Sequence, residues 1–214
     1  MPASRTALGA LAASAAFLAI SAHAAPDNST DRYAVMRDGV QIGTNSVRFS
    51  HDGPETTVET VTHVKVGFAF LTLYRFDQTE TEQWTGGRLV AMASSTDDNG
   101  TIHRTSAAAH DGALLVQCDG KTSTDAPTAV PLSLWNSALV RQKSALDTRS
   151  GALEQVKVID RGEDAVAVRG STRRAHHYEI VTDFPQDVWY DDSGQLVQVE
   201  FKGTDGSTIT YQLT

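Results

Sequence analysis

The stretch DVWYDDSGQLVQVEF, residues 187–201, combines two patterns that decide the fold class of this 214-residue chain. Val197, Val199 and Phe201 alternate with polar residues, so their side chains point to the same face of a β-strand. The Asp-Asp-Ser-Gly segment before them is typical of a turn, because glycine adopts positive φ angles without steric cost and Asp bonds to nearby backbone. The stretch therefore predicts a β-hairpin, and turn chemistry alone accounts for its acidic residues. Only the face occupied by Trp189 stays open.

The same combination of alternation and glycine turns recurs along the whole chain. Turn-forming pairs separate the alternating runs: Asp38-Gly39, Asp52-Gly53, Gly86-Gly87, Asn99-Gly100, Asp111-Gly112, Asp119-Gly120, Ser193-Gly194 and Asp205-Gly206. This pattern predicts about a dozen antiparallel strands in a meander with one face buried. We therefore expect an all-β fold, either a curved antiparallel meander sheet or an incomplete barrel.

One segment, residues 124–151, interrupts this rhythm with two prolines and a helix-capable stretch. It predicts one short helix near 132–140, with Ser133 as a candidate N-cap. The segment separates about eight strands from about five, but neither half carries enough large apolar residues for a core of its own. We expect a single β-rich domain over 32–214, preceded by a flexible N-terminus at 25–31.

The first 24 residues have the composition of a cleaved signal peptide. Arg5 precedes an apolar run rich in Ala and Leu, which ends at Ala22-His23-Ala24, the small-x-small pattern that signal peptidase recognises. The run is shorter than the roughly 20 residues that a membrane-spanning helix needs, and no later segment is long and apolar enough. We therefore expect an exported protein, periplasmic or secreted by a bacterium, without stable membrane insertion.

Charge and cysteine content narrow the function classes. The formal net charge of −8 opposes the phosphate backbone of nucleic acids, so we expect no nucleic-acid partner. The single cysteine, Cys118, cannot form an intrachain disulfide, and its parity with Leu114 and Val116 predicts a buried, inert thiol. The fold must therefore be stabilised by its hydrophobic core alone.

The sequence carries no catalytic or metal-binding signature, neither a nucleophile elbow, a zinc-protease motif nor a dinucleotide-binding loop. His176 and His177 are neighbours, and neighbours on a strand point to opposite faces, so they cannot chelate one ion together. The Asp-rich turns supply too few oxygen ligands for calcium. We expect no cofactor, no metal and no catalytic residues.

The most apolar segment of the expected mature chain is GFAFLTLYRF, residues 67–76. It is apolar on both faces of the predicted strand, which favours a central strand covered on each side. The functional interpretations are that one face lines a cavity for an apolar ligand, or that the tip touches a membrane. The candidate ligand-binding residues are Phe68, Phe70, Tyr74, Trp84 and Trp135.

Six motifs occur in one order along the chain: RYAVMRDGVQIG, LYRFDQTETEQW, GRLVAMASSTDDNG, LSLWNSAL, LDTRSG and VWYDDSGQLV. Through them the chain resembles, from about Arg32 to Leu213, an uncharacterised family of bacterial exported proteins with a domain of unknown function. It is more distantly similar to the open half-barrels of lipoprotein carriers, in which a curved antiparallel sheet surrounds a hydrophobic cavity. The resemblance implies export and a curved-sheet fold, and it implies no established activity and no catalytic residues.

Together these observations favour a non-enzymatic envelope protein that binds an apolar, lipid-like ligand in a concave β-sheet, with the helix carrying Leu134 and Trp135 as a lid. The expected partner is a lipid or another apolar small molecule, and the sequence identifies no protein partner. Two alternatives stay open. One is a structural or assembly module that uses exposed sheet edges. The other is a barrel-based hydrolase or isomerase with Glu80, Glu82, Arg75 or Asn136 in its site.

Overall fold

The computed structural model of the chain describes residues 28–68, 71–125 and 129–214, so the expected signal peptide lies outside the described residues. Eight strands precede the interrupting segment: β1 (Thr30–Arg37), β2 (Val40–Asp52), β3 (Glu55–Phe68), β4 (Leu71–Thr85), β5 (Arg88–Asp98), β6 (Thr101–His110), β7 (Ala113–Cys118) and β8 (Lys121–Asp125). A 3₁₀ helix (Ser137–Arg141) and β9 (Ser144–Leu146) lie within this segment, and β10 (Leu153–Gln155) directly follows it. Five strands follow: β11 (Lys157–Val168), β12 (Ser171–Val181), β13 (Gln186–Asp191), β14 (Leu196–Lys202) and β15 (Thr208–Leu213). Over the described ranges, no helix has the length and apolarity to cross a membrane.

The turns predicted from Asn-Gly and Asp-Gly pairs connect neighbouring strands as hairpins. Asn99 and Gly100, between β5 and β6, have φ angles of +52° and +95°, and Asp119 and Gly120, between β7 and β8, have +48° and +81°. Two consecutive positive φ angles are what a type I′ hairpin loop requires, and its twist matches that of the flanking strands. Local turn chemistry therefore accounts for the hairpins that the sequence predicts.

Thirteen strands form one antiparallel sheet in the order β11-β12-β13-β14-β15-β1-β2-β3-β4-β5-β6-β7-β8. The last strand, β15, pairs with the first, β1, and this pairing joins the two halves of the chain, with Tyr33 opposite Leu213. The terminal strands β8 and β11 do not pair with each other in the described part of the chain, so the sheet stays open. The expected all-β fold, a curved antiparallel sheet short of a closed barrel, is confirmed. Thr30 and Asp31, expected in the flexible N-terminus, belong to β1.

Residues 129–156, between β8 and β11, lie on the inner face of the curved sheet, and we call them the strap. Leu139, Ala145 and Leu146 of the strap are 0% exposed. The strap is ordered by its own backbone bonds, with the Leu132 amide donating to the Leu146 carbonyl at 2.8 Å and β9 pairing with β10. Its leucines join inward side chains from both halves of the sheet in one core. The strap therefore fills the interior that we expected to hold a ligand cavity.

The short helix predicted near 132–140 is present as a 3₁₀ helix displaced to Ser137–Arg141. Asn136, rather than Ser133, caps its start: the Asn136 side chain accepts a hydrogen bond from the Ala138 amide at 3.0 Å. A side chain that satisfies one of the free amides at a helix start is the usual stabilising device there.

The hairpin formed by β13 and β14 shows which face of the sheet Trp189 occupies. Val188 and Tyr190 are buried on the inner face, and Trp189, between them, points to the opposite face. There the indole ring stacks on His177 with centroids 4.2 Å apart, and its N–H donates to Asp164 at 2.8 Å. Strand β13 is therefore buried on both faces.

Candidate functional site

The structure places the predicted ligand-binding residues in different parts of the sheet. Trp84, on β4, and Trp135, in the strap, pack edge to face with ring centroids 5.9 Å apart. Tyr74 lies on the same face of β4 but ten residues earlier, which is about 30 Å along a strand. Phe68 ends β3, and only its backbone is described, while Phe70 lies outside the described residues. The described members therefore divide between the interior and one end of the sheet.

Glu82 lies at the centre of the interior cluster and is 1% exposed. Its Oε2 accepts a hydrogen bond from Trp84 Nε1 at 2.7 Å, and its Oε1 accepts one from Trp135 Nε1 at 3.0 Å. Phe49 packs against Trp135 with centroids 5.4 Å apart. A buried carboxyl group is tolerated only when hydrogen-bond donors replace its lost water, and here two indoles do so. Strand β4 and the strap are thus joined through one acceptor.

Glu80 precedes Glu82 on the same inward face and is 5% exposed. Its Oε1 finds no hydrogen-bond partner among the described residues, while the hydroxyls of Ser133 and Thr148, both in the strap, lie beside its carboxyl group. Burial, followed by the neighbouring Glu82 carboxyl, raises the pKa of Glu80 well above its usual range. The arrangement is therefore suited to holding a proton.

The four residues of the acid/base alternative do not converge. The strap covers Glu80 and Glu82, whereas Arg75 is exposed and pairs with Asp77 and Asp97. Asn136 is occupied as the helix cap. Acid/base catalysis needs its groups within reach of one substrate, and this arrangement does not provide that.

The inner face of the N-terminal half is more polar than the sequence suggested. Asn45 on β2 donates to Thr62 on β3 at 2.8 Å, and both are buried. Ser94 and Thr96 on β5 are also buried. Sequence reasoning treated polar residues as outward-facing and missed them. The sequence did carry a signal for their burial, because strand alternation puts each on the same face as an inward apolar residue of its own strand, as it does Asn45 with Val47.

One end of the sheet leaves apolar side chains on its inward face partly exposed to water, and we call it the mouth. The mouth consists of Tyr74, Phe76, Phe201 and Tyr211 on the strands, together with Phe184 from the segment between β12 and β13. Phe201 contacts Phe184 and Tyr211, with ring centroids 5.1 Å and 6.0 Å apart. Phe184 is 44% exposed and Tyr74 is 36% exposed. The mouth therefore offers a partly solvated aromatic surface.

The sheet register brings the two halves of the mouth onto one line. From the C-terminal to the N-terminal half, successive partners are Tyr211, Val35, Gly43, Val64 and Phe76. A Cβ on Gly43 would lie 2.1 Å from the His63 carbonyl oxygen, so a larger residue would not fit. The line of inward side chains is thus interrupted at its centre, between Val35 and Val64.

The first residues of β4, which precede Tyr74 of the mouth, are also exposed to solvent. Leu71 is 61% exposed and Leu73 is 62% exposed, and all residues from Leu71 to Arg75 are exposed. We expected a central strand covered on both faces over this segment, and that expectation is wrong for the start of β4. Neighbouring exposed apolar residues of this kind are typical of interaction sites.

A polar group borders the mouth on the strap side. The Tyr74 hydroxyl donates to Asp98 at 2.9 Å, and Arg149, in the strap, donates to the same carboxylate at 3.1 Å. Burial and the hydrogen bond to Asp98 raise the pKa of Tyr74. The Asp98 carboxylate therefore links the mouth to the strap.

A cavity of about 590 Å³ adjoins Arg149 and is also lined by His103, Cys118 and Lys121. Cys118 is half-buried and faces this cavity, so the expectation of a buried thiol is wrong. The Thr105 hydroxyl donates to its sulfur at 3.2 Å. His103 bonds to Asp119 at 2.9 Å, so part of the polar lining of the cavity is already paired.

Within the described ranges, no cluster of three His, Cys, Asp or Glu side chains has the arrangement of a metal site. His176 and His177 point to opposite faces, as the strand pattern predicts. His176 bonds to Asp160 at 2.7 Å, and His177 bonds to Asp187 at 2.7 Å. Each histidine thus has its own carboxylate partner.

The family model described as "Domain of unknown function (DUF6134)" matches residues 33–214. The chain belongs to this family. No curated protein matches the chain. Among solved structures, it is similar to the crystal structure of a beta-barrel-like protein of domain of unknown function DUF1849 from Brucella abortus, with a TM-score of 0.64 over 88% of this chain and 96% of that chain. At 12% identity, this likeness shows the fold alone.

Proposed function

We propose that this DUF6134 protein is an exported bacterial envelope protein that binds an apolar, lipid-like ligand without catalysing a reaction. The binding site is the mouth together with Leu71 and Leu73. The observation that carries the proposal is the group of aromatic and aliphatic side chains that stay partly in water at this end of the sheet, while strap residues such as Leu139 and Leu146 are buried in the core.

These side chains keep a large exposed fraction, which a bound ligand could bury. Full burial of a Leu or Phe side chain stabilises a complex by about 1.5–3 kcal/mol. Leu71, Leu73 and Phe184 are each more than 40% exposed, so each has surface left to bury. An acyl chain laid across the mouth would cover several of them at once. A single-domain protein otherwise has no folding benefit from this surface.

The polar border of the mouth indicates the orientation of such a ligand. Arg149 and Asp98 lie beside Tyr74, and the cavity of about 590 Å³ begins at Arg149. An amphipathic molecule would place its chain against the aromatic rings and its polar end toward Arg149. Binding at the mouth also requires no displacement of the buried strap residues Leu139 and Leu146.

The alternative of an assembly module has weaker support. The free edge strand β11 contains a register shift between Asp160 and Gly162 and carries charged residues on either side of it. Bulges and charges on an edge strand oppose pairing with a further strand. The other edge, β8, has only five residues, KTSTD.

Titration of the purified protein with a dansyl-labelled fatty acid tests the proposed site. We expect saturable binding, weakened about tenfold or more in the double variant Leu73→Ser with Tyr74→Ser, since a tenfold loss corresponds to about 1.4 kcal/mol. Val40→Ser is the matched control, because Val40 is 67% exposed and lies outside the mouth. Wild-type protein that takes up no probe, or equal binding by the mouth variant and the control, would refute the proposal.

A further inference from the structure

The strap is fastened to the sheet at the two buried glutamates of β4. Trp135 donates to Glu82 at 3.0 Å, and Ser133 and Thr148 place their hydroxyls beside Glu80. These three strap residues span the 3₁₀ helix and β9. The contacts with the carboxyl pair therefore hold both ends of the buried part of the strap.

Among the described residues, none that surrounds the pair supplies a positive charge. The residues in register with the two glutamates, and those that the strap places beside them, are all non-ionisable: Val58 and Thr60 on β3, Met92 and Ser94 on β5, and Ser133, Trp135 and Thr148 in the strap. Arg149 follows Thr148 but bonds to Asp98 instead. Two negative charges side by side in a low-dielectric interior without a cation are strongly unfavourable.

A single proton shared by the two carboxyl groups removes the repulsion between them. With a proton on Glu80, its O–H donates to Glu82, and the Glu82 oxygens also accept the two indole N–H groups. Every strap contact with the pair is then favourable. Without that proton, the two carboxylates repel each other in the interior. The hydroxyls of Ser133 and Thr148 favour the ionised form of Glu80, but burial and the Glu82 carboxyl outweigh them.

We propose that Glu80 and Glu82 form a site that binds one proton between them, and that this proton-loaded pair is the tie that fastens the strap to the inner face. Loss of the proton loosens the strap, so that alkaline conditions uncover the interior and mildly acidic conditions close it. If the proposed ligand binding at the mouth is correct, strap release would extend the apolar surface inward. The tie itself does not depend on that function.

Hydrogen exchange measured by mass spectrometry between pH 6 and pH 9, corrected for the intrinsic effect of pH, tests the tie in the full chain without ligand. The amides of Leu132, Leu146 and Val156 report on the strap, because each donates a backbone hydrogen bond there. In wild-type protein we expect strap opening to increase by up to about tenfold per pH unit above the release of the proton. The β1–β15 amides, such as that of Gln212 opposite Ala34, serve as the reference for global unfolding.

Two variants make the outcome decisive. Glu80→Gln cannot ionise and can still donate to Glu82, so its strap stays protected at pH 9. Glu59→Gln, at an exposed glutamate that pairs with Arg48, behaves as wild type. Difference infrared spectra give the second readout: the wild type shows a protonated carboxyl band near neutral pH that Glu80→Gln lacks. Equal loss of strap protection in wild type and Glu80→Gln, or the absence of that band, would overturn the proposal.

Discussion

The hydrogen bond from Trp135 to Glu82 gives the sharpest test of how the strap is held. The change Trp135→Phe removes the indole N–H that donates to Glu82 at 3.0 Å, while keeping an aromatic ring near Phe49 and Trp84. A hydrogen bond to a charged group contributes about 1.5–3 kcal/mol to stability, and a buried acceptor left unpaired costs a similar amount. The smaller ring adds a packing loss of about 1 kcal/mol. We therefore expect the free energy of unfolding to fall by about 2.5–4 kcal/mol.

A double-mutant cycle separates the hydrogen bond from the packing loss. Glu82→Met has no acceptor, so Trp135→Phe in that background costs only the packing change. Urea unfolding followed by circular dichroism gives the four free energies, and we expect a coupling energy of about 1.5–3 kcal/mol. Trp189→Phe is the matched control, since its indole donates to Asp164, whose side chain is 51% exposed. A coupling energy below about 0.5 kcal/mol, within the error of additivity, would refute the reasoning.

Three further predictions concern the interior and the sheet. Burial raises the pKa of Glu80 above its unfolded value, so the contribution of Glu80 to stability is greatest below about pH 4.5 and falls as pH rises toward the folded pKa, by up to about 1.4 kcal/mol per unit. Urea unfolding across pH should show this contribution lost in Glu80→Gln, which is then more stable than wild type at pH 8; an unchanged slope would contradict the assignment. Leu139→Ala, at a side chain that is 0% exposed, should cost about 2–5 kcal/mol, and a loss below about 1 kcal/mol would mean that the strap is not part of the core. Gly43→Ala places a Cβ 2.1 Å from the His63 carbonyl oxygen; we expect a loss of about 2 kcal/mol or more by overpacking, whereas Gly39→Ala, in an open turn with φ +82°, should lose only about 1 kcal/mol from backbone strain.

The sequence was sufficient for the hairpins because their signals are local. Asn99-Gly100 adopts the positive φ angles that its residue types favour, and the alternation of Val197 and Val199 marks a real strand. The pairing of β15 with β1 carries no such signal, since it joins residues such as Tyr33 and Leu213 from opposite ends of the chain. Long-range pairing depends on the whole arrangement of strands, so the open sheet could be expected but not its strand order.

The helix prediction shows how tertiary contacts override local propensity. In an α-helix, the Leu134 carbonyl would accept a hydrogen bond from the Ala138 amide. In the folded chain, the Tyr190 hydroxyl donates to that carbonyl at 2.7 Å, and Asn136 accepts from the amide. The strap consequently keeps only a short 3₁₀ helix. No pattern within residues 132–140 reveals the Tyr190 contact.

The candidate site was predicted only in part, because the contacts that cover its residues also come from distant parts of the chain. Tyr74 and Trp84 lie on one face of β4, ten residues apart, but strand alternation carries no information on what covers each end of the strand. The strap covers Trp84, whereas Tyr74 stays at the exposed end. The partners of Glu80 were equally hidden, since Ser133 and Thr148 are more than fifty residues away in sequence. The proposed ligand-binding role of these residues stays a prediction.

Native mass spectrometry of the protein purified from its own envelope tests the central claim most directly. Binding at the mouth predicts an added mass that organic extraction removes, that belongs to an apolar or amphipathic molecule, and that is diminished in the Leu73→Ser, Tyr74→Ser variant but retained in Val40→Ser. A mass equal to that of the polypeptide alone, together with no uptake of the dansyl-labelled fatty acid, would contradict the claim.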